Sequence, residues 1–288
     1  MFEGFTTHRI GTTGAEIHCL TGGSGPPLLL VHGYPQTHVM WHKVAPALAE
    51  RFTVVAPDLR GYGDSSKPEA GDGYVGYAKR VMAQDLVEVM VSLGHESFGV
   101  AGHDRGGRVS YRMALDSPDR VTKLVTLDIV PTLETFEMVS GPAARNLWHW
   151  YFLAQPPPLP ERMITAERDL YLEKMLRAWA GSVAAITDEA YAAYRAAWTP
   201  DTIRATCDDY RAGARIDCEL DAADRDAGNR IACPMLALWG GEQRDLLSIW
   251  SRWATDVTGK GLPCGHFIAE EAPDQLLGAM IPFLADGS

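Results

Sequence analysis

Basic residues, cysteines and long apolar runs are all in short supply in this 288-residue chain. Lys and Arg number 26 against 37 Asp and Glu, a net charge of -11, and no basic block interrupts the balance. That argues against nucleic acid or an anionic membrane surface as a partner. It also means that a small anionic substrate would be repelled by the general surface and would need a local basic pocket. The five cysteines, Cys19, Cys207, Cys218, Cys233 and Cys264, are odd in number and lack metal-ligand spacing, which speaks against a disulfide framework or a zinc site. Neither a metal nor an organic cofactor is expected. Residues 1–20 contain no apolar signal core and no later run is long enough to cross a bilayer, so a cytoplasmic protein is expected. Internal repeats and low-complexity tracts are missing as well.

What is present is an ordinary 46% hydrophobic content, distributed in a strand-helix rhythm. Residues 5–21 alternate polar and apolar with glycine punctuation, which predicts two antiparallel strands. A fully apolar burst at 28–31 and largely apolar runs at 52–56, 98–101, 124–127 and 235–239 suit strands buried on both faces. Between them, Met82, Leu86, Val89, Met90 and Leu93 recur at helical spacing, and a closing helix is expected over 275–283. The rhythm stops between about 131 and 230, where Trp, Tyr, Ala and Pro are frequent and the patterning is helical. The expected fold is therefore α/β, with a mostly parallel core sheet from residues 1–130 and 231–288 and a helical cap inserted at 131–230.

The stretch with the strongest chemical signal is Gly102-His103-Asp104-Arg105-Gly106-Gly107-Arg108, where a strand meets a helix at a small-x-acid-x-small turn. Glycines flank the apex because the backbone crowds there, and the side chain between them is pushed into the open. A carboxylate at that apex needs no base to ionise and can displace a leaving group from saturated carbon. Hydrolysis of the resulting ester calls for a base near neutrality, and His266 stands late in the chain in a Gly-His-Phe loop. Asp128, at the end of the 124–127 strand, is the preferred acid to orient it, with Glu242 and Asp245 after the 235–239 strand as alternatives. The His32-Gly33-Tyr34-Pro35 turn can offer the Tyr34 backbone N–H to an oxyanion, with the Arg105 N–H as second donor. Arg105 and Arg108, three apart on one helix face, point to an anionic substrate.

Together these residues bring a known group into view. The chain resembles the α/β-hydrolase fold, and within it the fluoroacetate (haloacetate) dehalogenases, through His32-Gly33-Tyr34-Pro35-Gln36-Thr37, Asp58-Leu59-Arg60-Gly61-Tyr62-Gly63-Asp64-Ser65, the Gly102 to Arg108 stretch, and the segments beginning at Trp148-His149-Trp150 and Asp209-Tyr210-Arg211. The resemblance implies that Asp104 attacks the carbon bearing halogen, that Arg105 and Arg108 hold the substrate carboxylate, and that His149, Trp150 and Tyr210 surround the departing halide. It departs from the family at Tyr34, where Phe is expected, and at Glu270-Glu271, which place acidic charge near the expected pocket mouth. A hydrolytic dehalogenase of short 2-haloacids follows, with a small-molecule haloacid as partner and a homodimer through the cap or the sheet edge as a possibility. The rivals are an epoxide hydrolase, which shares the Asp nucleophile, a haloalkane dehalogenase, disfavoured because Arg105 stands where Trp is usual beside the nucleophile, and a non-catalytic small-ligand binder on the same fold.

Overall fold

The computed structural model describes residues 1–286, with backbone only at 142 and 143. Eight strands form one sheet: β1 (Thr6–Gly11), β2 (Glu16–Gly22), β3 (Pro27–Val31), β4 (Thr53–Pro57), β5 (Phe98–His103), β6 (Val121–Leu127), β7 (Met235–Gly240) and β8 (Val257–Leu262). Their order across the sheet is β1-β2-β4-β3-β5-β6-β7-β8. β1 pairs antiparallel with β2 and β2 with β4, and the remaining pairings are parallel. The central strands are apolar on both faces because helices cover both faces. On the core these helices are α1 (Ala45–Ala49), α2 (Lys79–Ser92) and α3 (Asp104–Asp116).

Between β6 and β7 the regular elements are helices: α4 (Thr132–Met138), α5 (Trp148–Leu153), α6 (Leu159–Ala166), α7 (Arg168–Trp179), α8 (Asp188–Ala197), α9 (Pro200–Ala212) and α10 (Cys218–Ala227), with a π-helical turn at Gly213–Asp217 joining the last two and an isolated bridge from Ile231 to Ala254 before β7. After β7 come α11 (Leu247–Trp253), α12 (Ile268–Glu271) and the closing α13 (Pro273–Ala285). No helix among the described residues is long and apolar enough to cross a membrane.

β8 carries no sequence signal. Its Val-Thr-Gly-Lys-Gly-Leu pattern is half exposed, and a Cβ at Gly259 would lie 2.0 Å from the Ala237 carbonyl oxygen, so close strand approach takes the place of side-chain packing.

Parallel pairing sets the working edge. His103 is in register with Leu127, and Leu127 with Leu238, so the residues that follow, Asp104 and Asp128, emerge side by side from the carboxyl ends of β5 and β6. Both are non-glycine residues in the left-handed region, at φ 48° and 52°, a conformation held by surrounding structure and concentrated at working sites. The elbow also interlocks with β3, since a Cβ on Gly106 would sit 2.1 Å from the His32 carbonyl oxygen and 2.5 Å from that of Val31. Neither atom is the end of a flexible side chain. Gly106→Ala should therefore lower stability by about 3 kcal/mol, read as a shift of the urea midpoint, because backbone must move to admit one methyl group.

Candidate active site

The elbow leaves Asp104 pointing across the end of the sheet. The Tyr34 backbone N–H donates to its Oδ1 at 2.8 Å. That approach requires Gly33, where a Cβ would lie 2.5 Å from the Asp104 Cβ. His266 Nε2 stands 3.8 Å from Asp104 Oδ2, and its Nδ1 lies 2.6 Å from Asp128 Oδ2. A carboxylate can only accept, so Nδ1 carries the proton and Nε2 is left as the basic nitrogen facing Asp104. Asp128 is fixed in turn by the Gly240 N–H at 3.1 Å and by Arg244 Nη1 at 2.6 Å. Of the alternatives to Asp128, Glu242 is exposed and Asp245 accepts the Leu247 N–H at 3.0 Å at the start of α11, while His266 Nδ1 pairs with Asp128.

Charge is distributed in keeping with those contacts. Burial would raise the Asp104 carboxyl, but the positive charges of His266, Arg105 and Arg108 outweigh it and hold Asp104 below the ordinary range. Burial lowers the proton affinity of His266, while the hydrogen bond and charge of Asp128 raise it by more, so the net shift is upward. A base must be neutral to accept a proton, so any step that uses Nε2 slows as pH falls through the His266 pKa. Asp128→Asn removes the raising contribution. The acid limb of kcat should move to lower pH in that variant while kcat itself drops ~10²- to 10⁴-fold, as the imidazole loses its orienting partner. A pH profile of steady-state turnover checks both directions.

The two arginines have unequal surroundings. Arg105 is fully buried and donates from Nε and Nη2 to the Asp209 carboxylate at 3.0 and 2.6 Å, and from Nη2 to the Asp209 carbonyl at 2.8 Å. Its Nη1 is buried with no partner among the described residues. Arg108 has no carboxylate partner among them: Nη1 donates to the Val130 carbonyl at 2.7 Å, Nη2 to Thr135 Oγ1 at 3.3 Å, and Nε is unpartnered. Burial, with Arg105 nearby, lowers its proton affinity. A buried cation of this kind is costly until an anion arrives.

In the sequence Asp209 stands only at the head of a family-matching segment, with no role assigned, and in the structure it organises the whole corner. It accepts from Arg105, from Lys79 and, at 2.7 Å, from the Tyr62 hydroxyl. Burial would raise its carboxyl, but Arg105 and Lys79 hold it well below the ordinary range. Arg105 follows the apex Asp104 and Asp209 precedes Tyr210, so this one ion pair ties the elbow to α9.

The residues expected around a halide do gather there. His149 and Tyr210 lie 5.9 Å apart between ring centroids, as do Trp150 and Tyr210. The Arg105 guanidinium sits 4.2 Å from the Tyr210 ring and that of Arg108 4.4 Å from the Trp150 ring. The Tyr210 hydroxyl and His149 Nδ1 are buried without a partner among the described residues. Burial pulls His149 down to about 3, so its imidazole is neutral.

Tyr34, Trp179 and Trp198 complete the aromatic wall, with Trp179 at 4.5 Å from His149 and Tyr34 donating to the Tyr171 hydroxyl at 3.2 Å. The Trp179 carbonyl also accepts the His266 N–H at 2.9 Å.

Glu270 and Glu271 do not put free charge at a pocket mouth. Glu270 is buried, accepts from Gln36 at 2.5 Å and Tyr194 at 2.9 Å, and is pushed up to about 7 by burial. Glu271 accepts the N–H groups of Gly265, Phe267 and Ser182, which fixes the His266 loop.

A carboxylate elbow on a parallel sheet, an imidazole paired to a second carboxylate and a helical insertion over both define a class. Residues 26–242 match the model of the α/β hydrolase fold, and the chain belongs to that family. Among its relatives, it is 45% identical to the fluoroacetate dehalogenase of a Burkholderia species over 99% of this chain and 96% of that one. It is 37% identical to the soluble epoxide hydrolase of a Corynebacterium species, over 97% of each. A solved α/β hydrolase from Nostoc superposes with a TM-score of 0.97 at 50% identity, covering 99% of this chain and 100% of that one.

Proposed function

We propose that the protein is a hydrolytic dehalogenase of short 2-haloacids such as fluoroacetate. The observation that carries this reading is the pair of buried guanidinium groups beside the elbow carboxylate, with Arg105 Nη1 and Arg108 Nε both unpartnered and Arg108 lacking any carboxylate among the described residues. A substrate carboxylate would accept from both and supply the missing anion. The 45% identity to a fluoroacetate dehalogenase supports the same assignment.

In the first step an Asp104 oxygen bonds to the α-carbon and the carbon–halogen bond breaks, its electron pair leaving on the halide. Fluoride is strongly hydrated, so a dry site must replace water with donors, and the His149 imidazole, the Trp150 indole and the Tyr210 phenol can provide three. In the second step His266 Nε2 takes a proton from water, and the resulting hydroxide adds to the ester carbon of Asp104. The Tyr34 N–H, already 2.8 Å from Asp104 Oδ1, and the Arg105 N–H stabilise the oxyanion. On collapse the α-oxygen leaves with the proton held by His266, giving the 2-hydroxy acid, and the Asp104 carboxyl loses its proton to solvent to become the carboxylate again.

A neutral epoxide leaves the buried arginines without an anion, which disfavours a general epoxide hydrolase. A retired binding protein would have no use for the intact Asp104, His266 and Asp128 contacts. Purified protein should release halide from fluoroacetate and chloroacetate and act far more slowly on uncharged haloalkanes or epoxides. Silence on every short haloacid would overturn the assignment.

A further inference from the structure

We propose that the same site also hydrolyses α,β-epoxy acids, three-membered cyclic ethers whose attacked carbon carries a carboxylate, with glycidate as the smallest. The inference rests on the haloacid reading, because it uses Arg105 and Arg108 to hold the carboxylate.

In a 2-haloacid the α-carbon bears both the carboxylate and the leaving halogen. In glycidate the α-carbon bears the carboxylate and the leaving ring oxygen, and one methylene group closes the ring. Clamp, nucleophile and leaving-group pocket keep their mutual relation. The demand on the pocket changes, however. A halide departs as a stable anion and needs only hydrogen bonds, whereas a ring oxygen departs as an alkoxide and needs a proton.

Tyr210 meets that demand. Its hydroxyl is buried and unpartnered among the described residues, on the helix that Asp209 ties to the elbow. Burial, with the negative charge of Asp104, keeps the phenol protonated far into the alkaline range. An alkoxide is a stronger base than a phenolate, so the proton moves downhill once the ring opens. The Arg105 guanidinium, 4.2 Å from the ring centroid, places a cation against the phenolate left behind. The neighbouring His149, neutral because burial pulls it down to about 3, can add a hydrogen bond but holds no acidic proton near neutrality.

The step balances without any co-reactant except water. An Asp104 oxygen bonds to the α-carbon, the bond from that carbon to the ring oxygen breaks with its electron pair on oxygen, and that oxygen takes the Tyr210 proton. Water deprotonated by His266 then adds to the ester carbon, and the α-oxygen leaves as it takes the proton back from His266. The proton left on Asp104 returns to the Tyr210 phenolate. One water is consumed, a dihydroxy acid forms, and nothing is oxidised or reduced.

The test uses wild-type protein with single-enantiomer glycidate, chloroacetate and the uncharged analogue glycidol. Glycerate inverted at the α-carbon is expected, with kcat/KM for glycidate ~10²-fold or more above that for glycidol. Tyr210→Phe should lower glycidate turnover ~10²-fold or more, because it removes a proton donor. It should lower chloroacetate turnover only about tenfold, because there it removes one hydrogen bond among several. Chloride release without any glycerate would overturn this inference and leave the haloacid reading standing. No turnover of either acid would overturn both. Glycerate of retained configuration, or equal losses in Tyr210→Phe, would overturn the assigned attack or the assigned proton donor.

Discussion

With His266 replaced by Asn, the protein should release one equivalent of halide from chloroacetate and then stop, carrying the mass of one carboxymethyl group on Asp104. The physical reason is a division of labour visible in the geometry. Asp104 needs no base to ionise, and with His266 gone the charges of Arg105 and Arg108 still oppose the upward pull of burial on its carboxyl. Carbon–halogen cleavage therefore needs no base. Ester hydrolysis does, and the only imidazole nitrogen within reach of Asp104 among the described residues is His266 Nε2 at 3.8 Å. Steady-state turnover should fall ~10⁴-fold while the first equivalent survives. Asp104→Asn removes both steps together and should give no burst at all, with loss of at least ~10⁴-fold. Intact-protein mass spectrometry separates the two variants. A complementary experiment uses excess wild-type protein in heavy-oxygen water, where a single turnover should place the label in the Asp104 carboxylate and leave the product unlabelled. Label appearing directly in the hydroxy acid would mean that water, not Asp104, attacks the substrate carbon.

The parts of this site that could be read from sequence are those built by local backbone rules. The elbow announces itself because a strand cannot turn sharply into a helix without Gly102 and Gly106, and the strand bursts announce themselves because burial on both faces demands continuous apolar runs. Asp128 is preferred for a related reason, because it directly abuts the end of the 124–127 strand, whereas the loop carrying Glu242 and Asp245 is longer and less determinate. What was not legible depends on contacts between distant residues. Asp209 stands 104 positions from Arg105 and looks like any acidic residue in a helix, with nothing local to mark it as the counter-ion that leaves Arg105 only one free nitrogen. The spacing of Arg105 and Arg108 put them on one helix face but gave no hint that one is internally neutralised and the other is not. Glu270 and Glu271 read as acidic charge near a pocket mouth because the sequence does not reveal that Gln36, Tyr194 and the His266 loop fold against them. β8 was missed because Gly259 and Gly261 remove the side chains by which a strand is recognised.

That inequality between the arginines yields the second large effect, in which activity and stability move in opposite directions. Arg108→Met replaces a buried cation that has no carboxylate among the described residues with an apolar side chain of similar length. The lost hydrogen bonds to the Val130 carbonyl and Thr135 oppose the gain from removing a desolvated charge, and the net should be a fold unchanged or more stable by about 1 kcal/mol. Haloacid turnover should meanwhile collapse, since a buried charge-assisted contact to the substrate carboxylate is worth about 3–5 kcal/mol, or ~10²- to ~4 × 10³-fold in kcat/KM. Arg105→Met should behave differently. It strips Asp209 of the guanidinium that accounts for three of its hydrogen bonds, leaving a buried carboxylate to Lys79 and Tyr62, and should cost about 3 kcal/mol or more in stability as well as activity. Urea unfolding of both variants beside wild type, with unchanged m-values, reads the stabilities, and halide release reads the rest. If Arg108→Met were as unstable as Arg105→Met, the Arg108 guanidinium would be a structural element of the fold. The empty coordination at its Nε would then no longer point to a substrate carboxylate, and the case for an anionic substrate would rest on the single free nitrogen of Arg105.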